Sequence, residues 1–190
     1  MRNYNESSLE KVNSDKLVRS LRSLMRFHGK TRLVIKLTGL ARGKLIKEVF
    51  QDPVILYLDR DPRDVIVSYF RQRWLHKKDP KFERLDRREL LREYVELFKS
   101  FQETKSELAE FDFAHLKYED LVASPFEFFR DTIERTGLSH DNRFYDIVKG
   151  WKVEKNAIGK WKAFLKEDEV ELVNELLAAP LISLGYSVKT

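Results

Sequence analysis

The 190-residue sequence has no cysteine, few glycines and prolines (seven and five), and no long apolar run. Without cysteine the chain cannot use a disulfide framework, a thiolate zinc site or a cysteine nucleophile. No apolar stretch approaches the roughly 20 residues that a membrane-spanning helix needs. Residues 1–16 are polar and lack the apolar segment of a secretory signal peptide. We therefore expect a soluble, cytoplasmic protein.

The composition is that of a folded chain, because 42% of the residues are hydrophobic, 12% are aromatic and 35% are charged. No internal repeat, low-complexity segment or linker rich in glycine or proline divides the sequence. The sequence therefore predicts one domain over residues 1–190, in which residues 1–14 are frayed.

Positive charge is concentrated in one part of the chain. Residues 60–92 contain eleven Lys and Arg against six Asp and Glu, and this excess equals the net charge of +5 of the whole chain. A local positive field favours an anionic partner, although the same mixture of charges also fits a solvated helix face. A nucleic-acid-binding module is one alternative, but acids are interleaved with the basic residues and no nucleic-acid motif appears. We therefore do not expect nucleic acid as a partner.

The pattern of apolar residues predicts strands that alternate with helices. Short apolar or β-branched runs predict strands at residues 32–37, 54–58 and 113–117. Helical periodicity and capping residues predict helices at 15–27, 42–50, 61–76, 86–108 and 124–137, and over most of the chain after residue 141. This order predicts an α/β fold with a parallel sheet flanked by helices and a helix-rich C-terminal half.

The sharpest pattern places Arg60 at the end of the second predicted strand and Ser68 two turns into the helix that Asp61 caps. Phosphates bind where a strand ends and a helix begins, because free backbone N–H groups and the helix dipole point at them. An arginine reaching forward and a serine reaching back can share one phosphate. A structural alternative pairs Arg60 with Asp61 or Asp64 and bonds Ser68 to its own helix. The residues alone leave both interpretations open.

Four segments resemble the sulfotransferase family, whose members use 3′-phosphoadenosine 5′-phosphosulfate (PAPS) as donor. YLDRDPRDVIVSYF, residues 57–70, resembles the family's 3′-phosphate-binding motif. The other three follow the family order: VIKLTGL with KEVFQDPVILYLDRDP, then HLKYEDLVASPFEFF, then KNAIGKWKAFL. The resemblance runs from about residue 30 to the C-terminus and implies the P-loop-NTPase-like sulfotransferase fold.

The resemblance also implies roles on the donor side. Arg60 and Ser68 would bind the 3′-phosphate of PAPS, and Tyr118 would contact its adenosine portion. Lys155 and Asn156 would touch the 3′-phosphate from a late loop, where many members carry an Arg-Lys-Gly run.

On the acceptor side, the resemblance implies that Lys36, with Thr38 close by, faces the acceptor. A buried lysine at the end of a strand can stabilise a developing anion or act as a base once it is desolvated. The alternative is a surface lysine on an edge strand. The implied reaction is direct in-line transfer of a sulfuryl group to a hydroxyl or amine of a small-molecule or carbohydrate acceptor. No metal takes part in it, and the four histidines show no metal-ligand spacing.

One part of the family pattern is missing: the loop rich in Gly, Ser and Thr that binds the 5′-phosphosulfate after the first strand. The triplet Gly29-Lys30-Thr31 does not replace it, because it precedes a predicted strand and lacks the first glycine of a P-loop. A P-loop kinase would lack its loop in the same way. The chain is therefore expected to be a truncated sulfotransferase or an inactive remnant. A missing first strand would leave an unpaired sheet edge, which predicts a marginally stable chain or a homodimer.

Overall fold

The computed structural model describes residues 14–38, 41–73, 75, 79–139, 142–151, 153 and 157–188. They form two compact units. The first unit consists of Met1–Pro53 and Phe101–Phe111, and the second consists of Val54–Ser100 and Asp112–Thr190. The single domain inferred from the composition stays a prediction.

The first unit is helical. It contains α1 (Ser14–Phe27), α2 (Gly43–Val49) and a 3-10 helix (Thr104–Leu108) that packs against α2. The backbone carbonyl of Glu107 comes so close to Gly43 that a Cβ there would lie 2.2 Å from its oxygen. Glycine is therefore needed at the start of α2, because only a residue without a side chain permits this approach.

Residues 32–37 do not form the strand that the sequence predicts. The structure gives this segment no regular secondary structure, and Val34 is 90% exposed. No described residue pairs with its backbone as a neighbouring strand. The prediction was wrong because β-branched residues favour a strand only where a partner strand and a packed face are present.

The second unit carries the sheet. Strands β1 (Ile55–Asp59) and β2 (Phe113–Lys117) pair in parallel, with Ile55 opposite Phe113 and Asp59 opposite Lys117. The chain between them forms α3 (Pro62–Arg71), a 3-10 helix (Pro80–Arg84) and α4 (Arg87–Glu103). The predicted α/β class and the parallel pairing are confirmed.

The C-terminal part of the second unit is built from short helices. They are α5 (Tyr118–Ala123), α6 (Pro125–Thr136), α7 (Asn142–Lys149), α8 (Lys160–Phe164), α9 (Glu167–Leu176) and α10 (Ala178–Ser183). Side chains that are at most 1% exposed, drawn from α3, α4 and this C-terminal part, form the core: Ile66, Val67, Leu91, Tyr94, Val95, Val173, Leu177 and Leu181. The core thus fixes α3, the helix that follows Arg60.

Several helix ends differ from the sequence prediction. Helix α3 ends at Arg71, earlier than the predicted residue 76, and Arg73 just beyond it has a left-handed backbone with φ of 51°. Gly137 ends α6 in the left-handed conformation with φ of 59°, as predicted. The predicted capping box at Ser124 does not form, because the Ser124 side chain makes no cap hydrogen bond. Within the described ranges, no helix has both the length and the apolar character to cross a membrane.

Glu169, in the first turn of α9, is buried and connects three helices. Its carboxylate accepts hydrogen bonds from Arg87 Nε at 2.6 Å and from the backbone N–H of Lys166 at 2.9 Å. Arg87 also donates to the carbonyl oxygen of Phe164 at 2.9 Å. Burial alone raises the pKa of the Glu169 carboxyl, but the bonds from Arg87 and Lys166 outweigh it and hold this pKa below its ordinary value.

We expect Glu169→Gln to lower the free energy of unfolding at about pH 7 by about 1–3 kcal/mol, because Arg87 loses its ionised acceptor. A carboxyl with a lower pKa in the folded state stabilises the fold above its unfolded pKa of about 4.3. That stabilisation is lost as the pH falls through the lower, folded pKa. Urea unfolding should therefore show a difference between the two proteins that shrinks below about pH 4.

The matched control is Asp168→Asn, which removes the exposed partner of Arg88. Its free energy of unfolding should stay within about 0.5 kcal/mol of the unmodified chain, because exposed ion pairs contribute little. A Glu169→Gln difference that is the same at acid and neutral pH would contradict the prediction.

Candidate functional site

In the turn between β1 and α3, neighbouring side chains and backbone groups bond to one another. Asp61 caps α3, and its Oδ1 accepts the backbone N–H of Arg63 at 2.9 Å. The buried guanidinium of Arg63 returns to the Asp61 carboxylate, with Nη2 at 2.8 Å from Oδ2, and lies over the Trp161 ring at 4.2 Å. The predicted cap is confirmed. Because a carboxylate already occupies this helix start, an anion beside α3 has to be bound mainly by side chains.

Arg60 follows β1 directly and is held from three sides. Its Nη2 donates to the carbonyl oxygen of Ala157, and the same nitrogen lies 3.6 Å from Asp64 Oδ2. The guanidinium lies over the ring of Tyr118, at 4.7 Å from the centroid. Its Nε is buried without a hydrogen-bond partner among the described residues. Arg60 therefore pairs with Asp64, as the structural alternative proposed, and it still has an N–H group that makes no hydrogen bond to a described residue.

Asp64 ties α3 to the segment before α8. Its side chain is fully buried, and its two oxygens accept the backbone N–H groups of Gly159 at 2.7 Å and Trp161 at 3.1 Å. Gly159 has a φ of +71°, a left-handed conformation that glycine adopts without strain. The carboxylate therefore fixes two backbone positions that lie far from α3 in the sequence.

A pocket of about 190 Å³ opens beside α3. That volume far exceeds the roughly 10–15 Å³ that one water molecule needs, and it is below the roughly 300 Å³ at which drug-sized ligand sites begin. All of its lining residues except Val67 are polar or charged: Arg60, Asp64, Ser68, Arg71, Gln72 and Lys160. The pocket has the size and the charge to hold one anionic group.

Arg60 and Ser68 therefore line the same pocket, as the sequence pattern suggests. Ser68 is half-buried, and its Oγ accepts a hydrogen bond from Gln72 Nε2 at 3.2 Å. This contact between side chains one turn apart leaves the hydroxyl hydrogen of Ser68 able to donate to an anion.

Of the other residues predicted for the donor side, the structure describes only Tyr118. Tyr118 begins α5 and contacts Arg60 through its ring, so its observed contact is with the arginine. Its predicted contact with adenosine stays a prediction. Lys155 and Asn156 lie outside the described residues, although Ala157 and Gly159, which follow them, bond to Arg60 and Asp64.

Lys36 lies in the first unit, in the segment that does not form a strand. Its side chain is exposed, and so is that of Thr38. The buried strand end assumed for a desolvated base is therefore absent, because the strand itself is absent. The role of Lys36 toward an acceptor stays a prediction from the family resemblance.

Glu119 connects the turn after β1 to the C-terminal part of the chain. Its carboxylate accepts the backbone N–H of Asp61 at 3.0 Å and the hydroxyl of Tyr186 at 2.9 Å. Burial, and then the neighbouring Glu119 carboxylate, raise the pKa of the Tyr186 hydroxyl well above its usual range. Tyr186 therefore remains a neutral donor and fastens the C-terminal part of the chain to the turn after β1.

The sequence did not reveal the role of one lining residue, and it did not reveal three other lining residues at all. It suggests Asp64 only as an alternative partner of Arg60 and not as a tether of the Gly159 segment, and it does not single out Arg71, Gln72 or Lys160. Helical spacing offered a signal for three of them, because positions 64, 68, 71 and 72 share one face of α3. Within the described ranges, no group of three or more histidine, aspartate or glutamate side chains could hold a metal ion.

Comparison with known proteins identifies the family. The sequence profile described as "Sulfotransferase family" matches residues 3–142, which is more than half of the chain. The chain belongs to the sulfotransferase family. The matched residues include β1, Arg60 and the capped helix α3.

The fold agrees with the family. The sulfotransferase domain from the curacin biosynthetic pathway superposes with a TM-score of 0.58 at 15% sequence identity. The match covers 95% of this chain and 76% of that one. No curated protein matches the sequence. The likeness at this identity establishes a sulfotransferase fold for the chain, including its helix-rich C-terminal half.

Proposed function

We propose that this sulfotransferase-family chain carries the 3′-phosphate-binding half of a site that transfers the sulfuryl group of PAPS to a hydroxyl or amine of a small-molecule or carbohydrate acceptor. The observation that carries the proposal is the pocket beside α3, which Arg60 and Ser68 line together. A planar guanidinium can give two parallel hydrogen bonds to phosphate oxygens, and a serine hydroxyl can give one more.

In the proposed reaction, an oxygen or nitrogen of the acceptor attacks the sulfur in line with the bond to the 5′-phosphate. The sulfur–oxygen bond to that phosphate breaks, and adenosine 3′,5′-bisphosphate leaves with the electron pair. The proton of the acceptor passes to a base, for which Lys36 is the family-based candidate. No step of this scheme needs a metal.

In this proposal, the residues of the pocket position the donor and do not take part in the transfer itself. The 3′-phosphate does not react, so its binding energy serves to orient the donor at the reacting sulfur. Arg60 suits this task because Ala157, Asp64 and Tyr118 hold its guanidinium before any ligand arrives. Preorganised donors lose little further freedom when the phosphate binds.

The test is calorimetric titration of the purified chain with adenosine 3′,5′-bisphosphate, 5′-AMP and ATP. We expect the bisphosphate to bind at least about tenfold more tightly than 5′-AMP, because charge-assisted hydrogen bonds contribute about 1.5–3 kcal/mol each. ATP also lacks a 3′-phosphate and should bind as weakly as 5′-AMP. Equal affinity for all three ligands would indicate a general nucleotide pocket and would refute the proposed donor.

A further inference from the structure

The pocket beside α3 contains more positive charge than Arg60 alone supplies. Arg71, the last residue of α3, and Lys160, the first residue of α8, also line it. Among the described lining residues the only acid is Asp64, so three cations and one carboxylate give a formal net charge of +2. A terminal phosphate monoester carries about −1.5 to −2 near neutral pH, whereas a phosphodiester carries about −1. The charge of the pocket matches the monoester.

The carboxylate of Asp64 is committed to other partners. Its oxygens accept the N–H groups of Gly159 and Trp161, and Arg60 is the cation beside it. In the described part of the chain, neither Arg71 nor Lys160 has a carboxylate at ion-pair distance, in contrast to exposed arginines such as Arg88 and Arg130. Among the residues that the structure describes, no carboxylate therefore neutralises the charges of Arg71 and Lys160.

Hydrogen bonds on either side of Lys160 fix the position of its backbone. The two backbone N–H groups that Asp64 binds belong to Gly159 and Trp161, the residues on either side of Lys160. Trp161 is only 4% exposed, and the guanidinium of Arg63 covers its ring. Because its backbone is anchored on both sides, the Lys160 side chain starts from a fixed point at the pocket.

We propose that Lys160 and Arg71 bind the 3′-phosphate together with Arg60 and Ser68, and that they make the pocket selective for a terminal phosphate monoester over a phosphodiester. This inference rests on the proposed function and extends it to two residues of this chain and to the charge state of the ligand. The two cations approach from different helices, so together with Arg60 they surround the phosphate and stabilise its second negative charge.

The experiment compares variants against ligands that differ only at the 3′ position. Lys160→Met keeps the length of the side chain and removes its charge. We expect it to weaken binding of adenosine 3′,5′-bisphosphate about tenfold, the effect of one charge-assisted hydrogen bond. Binding of 5′-AMP should change by less than about twofold, since that ligand has no 3′-phosphate. Arg71→Met should weaken bisphosphate binding by about threefold or more, because the Arg71 side chain is more exposed.

The controls separate a specific contact from a loss of net charge or of folding. Lys162→Met makes the same charge change two residues away, at an exposed side chain that does not line the pocket, and should leave bisphosphate binding unchanged. Lys160→Arg keeps the charge and should keep the preference for the bisphosphate. Arg71 lies at the exposed end of α3, so its variant tests the proposal even if Lys160→Met unfolds.

The 3′-methyl ester of adenosine 3′,5′-bisphosphate, a phosphodiester at the 3′ position with the 5′-phosphate unchanged, completes the ligand set and should bind at least about tenfold more weakly than the bisphosphate. Binding of this methyl ester as tight as that of the bisphosphate would overturn the selectivity. A preference for the bisphosphate that survives in both Lys160→Met and Arg71→Met would overturn the roles of these residues while leaving the proposed function intact. An unmodified chain without that preference would refute the proposed function and this inference together.

Discussion

Replacement of Arg60 by alanine is expected to weaken binding of adenosine 3′,5′-bisphosphate by about 100-fold or more. The reason is that two charge-assisted hydrogen bonds of about 1.5–3 kcal/mol each are lost, and each 1.4 kcal/mol corresponds to about a factor of ten. Isothermal titration calorimetry of the variant beside the unmodified chain measures the change. Binding of 5′-AMP should be affected far less.

Two further variants show whether the loss at Arg60 is specific. Arg60→Lys keeps the charge but loses the fork that binds two oxygens at once, so its affinity should fall between those of alanine and arginine. Arg130→Ala removes an exposed arginine of α6 that pairs with Asp131 and should bind the bisphosphate normally. Arg60→Ala with undiminished selectivity for the bisphosphate would exclude this pocket as the 3′-phosphate site.

Asp64→Ala is expected to produce the largest loss of stability among the site variants, about 3–5 kcal/mol in the free energy of unfolding. Its removal leaves the part-buried N–H of Gly159 and the buried N–H of Trp161 without their acceptor, and it removes the counter-charge of Arg60. Breaking a buried charged network by removing one partner has a cost of this size. Equilibrium unfolding in urea measures it.

The side-chain amide of Asp64→Asn still offers one oxygen as an acceptor, so this variant should lose less stability than the alanine variant. The control is Asp131→Ala, because the Asp131 side chain is 58% exposed and pairs only at the surface. It should unfold within about 0.5 kcal/mol of the unmodified chain. If Asp64→Ala were as stable as this control, the tether between α3 and the Gly159 segment would have no energetic role.

Local pattern was enough to predict the elements around the site. The apolar run before Arg60 and the cap at Asp61 predicted β1 and the start of α3, because both signals lie within a few neighbouring residues. The parallel pairing with β2 followed from the alternation of strands with helices. The same reasoning failed for residues 32–37, since a strand needs a partner that no local pattern contains.

The charge of the pocket was only partly visible in the sequence. Arg71 lies on the same face of α3 as Ser68, so helical periodicity could have identified it. Lys160 could not have been found in this way, because its position depends on hydrogen bonds between residues 95 and 97 positions apart. Contacts over such separations are decided by the packing of the whole unit rather than by any local propensity.

The hydrogen bond from Arg60 to Ala157 joins residues that are 97 positions apart. Contacts with such long separations are slow to form, because the entropy of closing the loop is lost before the contact contributes any stability. The pocket cannot exist before the chain beyond residue 157 has joined α3, so ribosome-bound chains that end earlier have no complete site. A ligand that fills it stabilises only the finished fold, by mass action. The proposed donor binding is thus coupled to the completion of folding.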